Sequence, residues 1–122
     1  MEDILERGTM SLPTSSRPTL EIDKELEQIL SRQSARIKVV GVGGGGGNTT
    51  SRMREIGIKG GEVIAINTDA QDLLFANADQ KILIGREISK GLGAGSNPRI
   101  GAEAAKEQAQ DIKKKLENSD LV

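Results

Sequence analysis

The sequence contains no cysteine and no histidine. The lack of cysteine excludes disulfides and thiol nucleophiles, and the lack of histidine excludes an imidazole base. Together, the two absences remove the usual zinc sites. Any chemistry must therefore use carboxylates, hydroxyls, amides, lysine, arginine, backbone N–H groups and a borrowed cation such as magnesium.

Aromatic residues are almost absent, because Phe75 is the single one and there is no tryptophan or tyrosine. Aromatic side chains supply large buried areas in most protein cores. A chain of 122 residues is one small domain at most. So few aromatic residues suggest that this domain is incomplete.

Long apolar runs and an excess of charge are also missing. No stretch approaches the length of a membrane-spanning helix, and the N-terminal segment lacks the apolar centre of a signal peptide. Lysine and arginine number 17 against 18 aspartates and glutamates, which gives a net charge of −1. This balance provides no electrostatic case for nucleic acid or an anionic membrane. We expect a cytoplasmic protein with no nucleic-acid partner and no direct membrane insertion.

A tail and a helix precede the main domain. Residues 1–18 combine Ser, Thr, Pro and Gly with mixed charges, a composition typical of a disordered tail. Thr19 is suited to cap a helix, and the aliphatic residues from Ile22 to Leu30 recur at helical spacing. We expect residues 19–35 to form a helical extension that packs beside the main domain, with partner binding by the helix as the alternative.

The main domain, residues 36–122, opens with an apolar run that leads into glycines. Ile37–Val42 is mostly β-branched, which predicts a buried parallel strand. Five consecutive glycines, Gly43–Gly47, follow it, and we expect a helix over roughly Met53–Ile56 that ends at Gly57. Glycine costs entropy on ordering. The physical reason for five of them is a loop whose bare N–H groups surround an anion at a helix N-terminus.

The glycine run also fits two other patterns less well. Gly41, Gly43 and Gly46 match G-x-G-x-x-G, which is a weak signal for dinucleotide binding by itself. No Gly-Lys-Ser/Thr closes the run, so it is not a Walker A loop. A flexible linker is the remaining alternative, and it is disfavoured because linkers are rarely joined directly to a buried strand and a helix.

A second strand is predicted over Glu62–Ile66, and its end at Asn67–Gln71 is polar. Ligands of open α/β sheets bind at the carboxyl ends of the strands. Asp69 follows Gly46 at about the separation of a ribose-binding acid in a dinucleotide fold. It is equally suited to cap the helical turn that follows, and the two interpretations are compatible.

A third strand over Lys81–Gly85 is followed by a second glycine-rich loop, Gly91–Pro98. Asn97 as a cap and Pro98 at the first helical position predict the start of one helix whose apolar face runs from Ala105 to Leu116. This loop is either a second anion-facing segment or a plain connection. At the end, Leu121 and Val122 look like the start of another strand, so we expect the chain to be cut there. The fold class is α/β with a Rossmann-like parallel sheet.

Three stretches, in this order, resemble the first nucleotide-binding loops of the tubulin/FtsZ GTPase family. They read Val-Gly-Gly-Gly-Gly-Gly-Asn, Ile-Asn-Thr-Asp-Ala-Gln and Lys-Gly-Leu-Gly-Ala-Gly-Ser-Asn-Pro, and they lie within Ile37–Thr49, Ala65–Gln71 and Lys90–Pro98. The resemblance covers about residues 37–122 and implies the N-terminal part of a GTPase domain. The acidic helix ahead of it is similar to the N-terminal extensions of archaeal members.

The resemblance implies GTP or GDP as the ligand, with magnesium held through the nucleotide phosphates and water. The implied nucleotide-binding residues fall into three groups: Gly44, Gly45, Gly46, Gly47 and Asn48; Asn67, Thr68, Asp69 and Ala70; and Ala94, Gly95 and Ser96. The glycine amides would face the phosphates, Asn48 the guanosine, the second group the phosphates and magnesium, and the third group the γ-phosphate. The family is implied to form head-to-tail filaments of the contractile Z ring at the division site, in contact with other division proteins.

Parts of the family pattern are missing from this sequence. The Gly-Gly-Gly-Thr-Gly-Thr-Gly signature, the residues that read guanine and the acidic loop that completes a neighbouring subunit's site do not occur. We therefore assign no catalytic residue and no protein ligand to a metal, and expect the chain alone neither to hydrolyse GTP nor to polymerise. Two alternatives stay open: an NAD- or FAD-binding fragment of an oxidoreductase, and an interaction module whose glycine loops merely connect.

Overall fold

The computed structural model describes residues 17–122. Residues 1–16 of the expected tail therefore lie outside the described residues, whereas residues 17 and 18, also expected in the tail, belong to a helix. The chain divides into two units after Ser34. The first contains helix α1, Arg17–Gln33, which begins two residues before Thr19. Thr19 is thus a helical residue and not the cap expected of it, while packing of α1 beside the main domain stays a prediction.

The second unit is built on a parallel sheet of three strands: β1 Ile37–Val42, β2 Gly61–Asn67 and β3 Gln80–Leu83. Their order is β1-β2-β3, with both pairs parallel. The register places Val40 beside Ile64, and Ile66 beside Ile82. The predicted parallel sheet is confirmed, and its centre strand β2 is buried from Val63 to Ile66, as its continuous apolar run implies.

The four helices of this unit are α2 Gly43–Ile56, α3 Ala70–Phe75, α4 Pro98–Glu107 and α5 Ala109–Leu116. Two predicted ends are confirmed: Asn97 caps α4, and Gly57, with a φ of 91°, terminates α2. Among the helices described, none is both long enough and apolar enough to traverse a membrane.

The start of α2 differs from the expectation. The helix begins at Gly43, so the five glycines form its first turns and not a loop before it. Glycine is a poor helix former, and tertiary packing overrides this preference: Gly46 approaches Gly41 of β1 so closely that a Cβ on Gly46 would lie 3.0 Å from the Gly41 carbonyl carbon.

The helix expected after Pro98 is also different, because it is two helices with a break at Gln108. The Gln108 side-chain oxygen accepts a hydrogen bond from the backbone N–H of Gly85 at 2.6 Å. The neighbouring Glu107 carboxylate accepts N–H bonds from Glu87 and Ile88, both at 3.1 Å. The break therefore places the Glu107 and Gln108 side chains where they accept hydrogen bonds from the turn at residues 85–89. Strand β3 ends before this turn, at Leu83 and not at the predicted Gly85.

The core lies between the sheet and the two C-terminal helices. Ala104 of α4 is fully buried in it together with aliphatic residues of β2 and β3 and residue 84, namely Ile64, Ile66, Ile82 and Ile84. Ala105, Ile112 and Leu116 pack against this cluster, as their predicted common face implies. Leu121 pairs in parallel with Ile37, so the last residues do begin to extend the sheet.

Candidate functional site

The N-terminus of α2 follows directly from the carboxyl end of β1 and is uncapped. Val42 stands at the N-cap position, and no side chain bonds to the first N–H groups there. In contrast, the Asp69 carboxylate caps α3, and the Asn97 side chain caps α4. The first N–H groups of a helix have no acceptor within the helix. The start of α2 therefore presents free donors and a positive dipole end, which suits an anion.

The glycines at this end fall into two kinds. Gly41 and Gly46 are required by packing, because a Cβ on Gly41 would overlap the Gly46 carbonyl and the Thr50 hydroxyl. Gly43 has a φ of 75°, which turns the chain from β1 into α2 and which side chains rarely adopt. For these three positions the fold itself explains the glycine.

Gly44, Gly45 and Gly47 have no such explanation in the fold. Their φ values are not positive, and a Cβ on Gly45 or Gly47 would meet nothing within 4 Å. At Gly44 the nearest atom would be a carboxylate oxygen of Asp72 at 3.8 Å. Alanine would favour the helix by roughly 1 kcal/mol at an interior position. The space left above these residues therefore points to close approach of a ligand to the backbone.

A cleft of about 500 Å³ runs beside α2. At one end it is lined by the start of the helix, and along its length by the later α2 residues, the end of β2 and the end of α3. Of the predicted site residues, it contains Gly44, Gly47, Asn48 and Asn67. Gly45 and Gly46 belong to the same helical turns but do not line the cleft.

The polar end of β2 forms a turn that is held by hydrogen bonds to the side chains of Asn67 and Asp69. The Asn67 side-chain oxygen accepts the N–H of Asp69 at 3.0 Å. One carboxylate oxygen of Asp69 accepts the N–H groups of Gln71 and Asp72, at 2.9 and 3.0 Å. The capping role predicted for Asp69 is thus confirmed. Thr68 is buried between these residues.

The second glycine loop is anchored on this turn. Leu92 forms an antiparallel bridge with Asp69, and the Ala70 N–H donates to the Gly91 carbonyl at 3.0 Å. Gly95 and Ser96 have positive φ values of 59° and 60°. The loop then closes through the Asn97 N–H, which donates to the Ala94 carbonyl at 3.1 Å.

The three predicted segments thus gather at the carboxyl ends of the strands. The start of α2 shares the cleft with Asn67, and the second loop is bonded to the residues that follow Asn67. Ala94, Gly95 and Ser96 do not line the cleft. They continue from the anchored part of the loop, with Gly95 and Ser96 exposed.

Several cleft residues escaped the sequence analysis, namely Ser51, Arg52, Glu55, Asp72, Phe75 and Ala76. Asn48, Ser51 and Glu55 follow helical spacing from the glycines, so a helix predicted from Gly43 would have indicated this face. Arg52 and Glu55 form an ion pair at 3.8 Å. Asp72 places a carboxylate next to the start of α2.

The acidic side chains near the start of α2 offer few ligands for a cation. Within residues 17–122, no three acidic side chains converge on one point as a metal site requires. Asp69 has one oxygen engaged in capping, and Asp72 contributes a single carboxylate at the cleft. This donor set fits a magnesium ion bound mostly by substrate phosphates and water, which is the usual arrangement for that ion.

Comparison with known proteins gives a consistent result. The model of the Tubulin/FtsZ family, GTPase domain, matches residues 36–122. Cell division protein FtsZ 1 of Thermococcus kodakarensis is 51% identical over an alignment that covers 100% of this chain and 34% of that protein. FtsZ of Methanothermobacter thermautotrophicus is 50% identical over 98% of this chain and 31% of its own length. The chain thus spans about a third of the length of these curated relatives.

Solved structures agree with the sequence relatives. An empty FtsZ dimer from M. jannaschii superposes with a TM-score of 0.74 at 53% identity, covering 81% of this chain and 29% of that one. CetZ2 from Haloferax volcanii, solved as a GTPγS-bound protofilament, gives a TM-score of 0.59 at 25% identity, covering 69% of this chain and 26% of that one.

Proposed function

Because the chain belongs to the Tubulin/FtsZ family, we propose that it supplies the phosphate-binding part of a GTPase that assembles into cell-division filaments. The single observation that carries this proposal is the uncapped start of α2, where Gly44, Gly45 and Gly47 leave open space that the fold does not need. A nucleotide phosphate is the anion that this geometry suits.

Each group of residues has a distinct part in the proposed site. The amides of Gly44–Gly47 bind the phosphates, and Asn48, further along the cleft, contacts the nucleoside. Asn67–Ala70 lie beside the phosphates and the magnesium ion, which neutralises phosphate charge when bound. Ala94–Ser96 enclose the γ-phosphate, so that they distinguish GTP from GDP. Phosphoryl transfer depends mostly on such positioning and charge stabilisation.

Filament formation is the second part of the proposal. Leu74 and Phe75 are consecutive at the end of α3, Leu92 lies in the second glycine loop, and the three are 69%, 77% and 84% exposed. Large apolar side chains grouped on a surface mark protein interfaces. A second copy of the whole protein, docked head to tail over these residues, would cover them and complete the site. We place the assembled protein in the cytoplasm, at the mid-cell ring, together with other division proteins.

The two alternatives are weaker than the proposal. The comparisons do not support a dinucleotide-binding fragment of an oxidoreductase, since the matching family and the relatives named above are of the tubulin/FtsZ type. An interaction module in which glycine loops only connect gives no reason for the bare Gly44, Gly45 and Gly47.

Nucleotide titration followed by NMR tests the proposal directly. In a ¹⁵N-labelled chain, we expect GTP and GDP to shift the amide signals of Gly43–Asn48, while NAD shifts them less and guanosine without phosphates leaves the glycine amides unchanged. Equal indifference of these amides to GTP, GDP and NAD would refute the proposed function. An equal response to all three would point back to a general dinucleotide site.

A further inference from the structure

A polar network attaches the second half of α2 to the segment between α3 and β3. Arg54 donates from Nε and Nη2 to one carboxylate oxygen of Asp79, at 3.1 and 2.8 Å, and from Nη1 to the Asn77 side-chain oxygen at 3.2 Å. Ser51, one turn earlier, accepts the backbone N–H of Asn77 at 2.9 Å. The segment is therefore held on one face of α2 at several points.

The network is also anchored in the sheet. The second carboxylate oxygen of Asp79 accepts the Val63 N–H at 2.8 Å, and the Asp79 N–H donates to the Val63 carbonyl at 2.9 Å. Val63 is buried in β2. The hydrogen bond from Val63, followed by that from Arg54, lowers the pKa of Asp79, so its carboxylate is charged at neutral pH. Arg54 thus connects α2 to a fixed point of the core.

The residues just before this network form a wall of the cleft. Phe75 and Ala76 line the cleft together with Ser51 and Glu55 of α2. Helix α3 ends at Phe75, and Ala76 has an extended backbone. Because only residues 76–79 connect α3 to β3, the position of the wall depends on the contacts that hold Asn77 and Asp79.

We propose that Arg54 is a positioning residue that sets the width of the cleft, by holding Asn77 and Asp79 on α2 and thereby fixing the wall formed by Phe75 and Ala76. The inference depends on the function proposed above and adds that this wall serves the nucleoside. Ser51 lies about 10 Å further along the helix axis than Gly44, since each residue rises by ~1.5 Å. Phosphates at the start of α2 are therefore remote from the wall.

The affinities of two ligands, GTP and inorganic tripolyphosphate, distinguish a positioning role of Arg54 from a general effect on the stability of the fold. GTP occupies both ends of the cleft, whereas inorganic tripolyphosphate needs only the glycine amides. In Arg54→Met, which keeps the apolar stem but removes the guanidinium, we expect GTP affinity to fall about tenfold, because binding must then order a loose wall. Tripolyphosphate affinity should change by less than about twofold, because Arg54 lies roughly 15 Å along α2 from Gly44, beyond the screening length at physiological salt. Arg54→Lys should be intermediate, since one ammonium cannot reproduce the fork to Asp79 and Asn77.

Arg36→Met is a matched control. Arg36 pairs with Asp120 through Nε at 3.4 Å and through its backbone N–H at 2.7 Å, near the amino end of β1 and away from the cleft. Its loss should leave both affinities unchanged. Hydrogen exchange of the free chain provides a second readout, in which Arg54→Met should accelerate exchange of the Asn77 and Asp79 amides while Arg36→Met does not.

The outcomes are distinguishable. If the unaltered chain binds tripolyphosphate and GTP, but Arg54→Met weakens both equally or neither, the positioning role is wrong and the proposed function stands. Unchanged exchange at Asn77 and Asp79 in that variant would also overturn it. If the unaltered chain binds neither ligand, the proposed function and this inference both fall.

Discussion

Alanine substitutions at Gly45 and Gly41 separate a glycine kept for a ligand from a glycine kept for the fold. A Cβ on Gly45 would enter open space, at a helical position whose φ is not positive. The Gly45→Ala variant should therefore be as stable as the unaltered chain or slightly more stable, by at most about 1 kcal/mol. Thermal unfolding would show a Tm that is unchanged or a few degrees higher.

The same methyl group should damage ligand binding. Gly45 does not line the cleft itself, but the methyl group would project from the glycine turn whose amides bind the phosphate in the proposed site, and it would hold the phosphate away from at least one donor. A charge-assisted hydrogen bond contributes about 1.5–3 kcal/mol. We therefore expect GTP affinity to fall roughly 10- to 100-fold in the titration described above. The bulkier Gly45→Val should weaken binding more than Asp69→Asn, because an asparagine at that position can still cap α3.

Gly41→Ala is the contrasting variant. Its Cβ would overlap the backbone carbonyl of Gly46 and the Thr50 hydroxyl, and the carbonyl cannot move away without shifting α2 against β1. Overpacking of this kind costs about 1–3 kcal/mol, so the Tm should fall by roughly 5 to 20 °C for a domain of this size. If Gly45→Ala bound GTP like the unaltered chain, or if it lost as much stability as Gly41→Ala, the division into two kinds of glycine would be refuted.

Three further predictions concern charge and packing. Asp72 lies beside the start of α2, so Asp72→Asn should strengthen GTP binding in EDTA and reduce the gain on adding magnesium; an unchanged gain would contradict this. The pKa of Asp79 is lowered, chiefly by the Val63 N–H and then by Arg54. A lowered folded-state pKa contributes stability that is present above the unfolded pKa of about 3.9 and is lost as pH falls through the folded value. Unfolding measured from pH 5 down to pH 2 should show this loss, and Asp79→Asn should flatten it, whereas a parallel pH profile would count against it. Gln108→Ala removes the acceptor of the buried Gly85 N–H and should lower the free energy of unfolding, measured in urea, by about 1–3 kcal/mol. A loss of less than about 0.5 kcal/mol, roughly the effect of a neutral surface change, would exclude the role given to the helix break.

Features that depend on residues close together in the chain could be predicted from the sequence. The strand Ile37–Val42 was predicted with both of its observed ends, because a β-branched run between polar and glycine-rich stretches leaves few alternatives. Asn97 and Pro98 marked the start of α4 for a similar reason, since capping involves residues only two positions apart. The three candidate segments were also found in sequence, because glycine loops and polar strand ends are visible in the order of residues.

Other features depend on residues far apart in the chain, and the sequence alone could not supply them. Five glycines predict a loop by propensity, yet α2 begins at Gly43, because Gly46 packs directly on Gly41 of the neighbouring strand. The break at Gln108 exists for the N–H of Gly85, 23 residues away in the chain.

The sequence by itself determined the presence of the three strands, the Asn97 cap and the family pattern of three glycine-rich or polar segments, because each of these follows from neighbouring residues. Only the tertiary structure decided which glycines the fold requires and that one Asp69 oxygen caps α3. It also decided that Arg54 bonds to Asp79, next to the wall formed by Phe75 and Ala76. These depend on distances between separate elements. Such distances are set by packing of the whole domain and have no signature in the local order of residues.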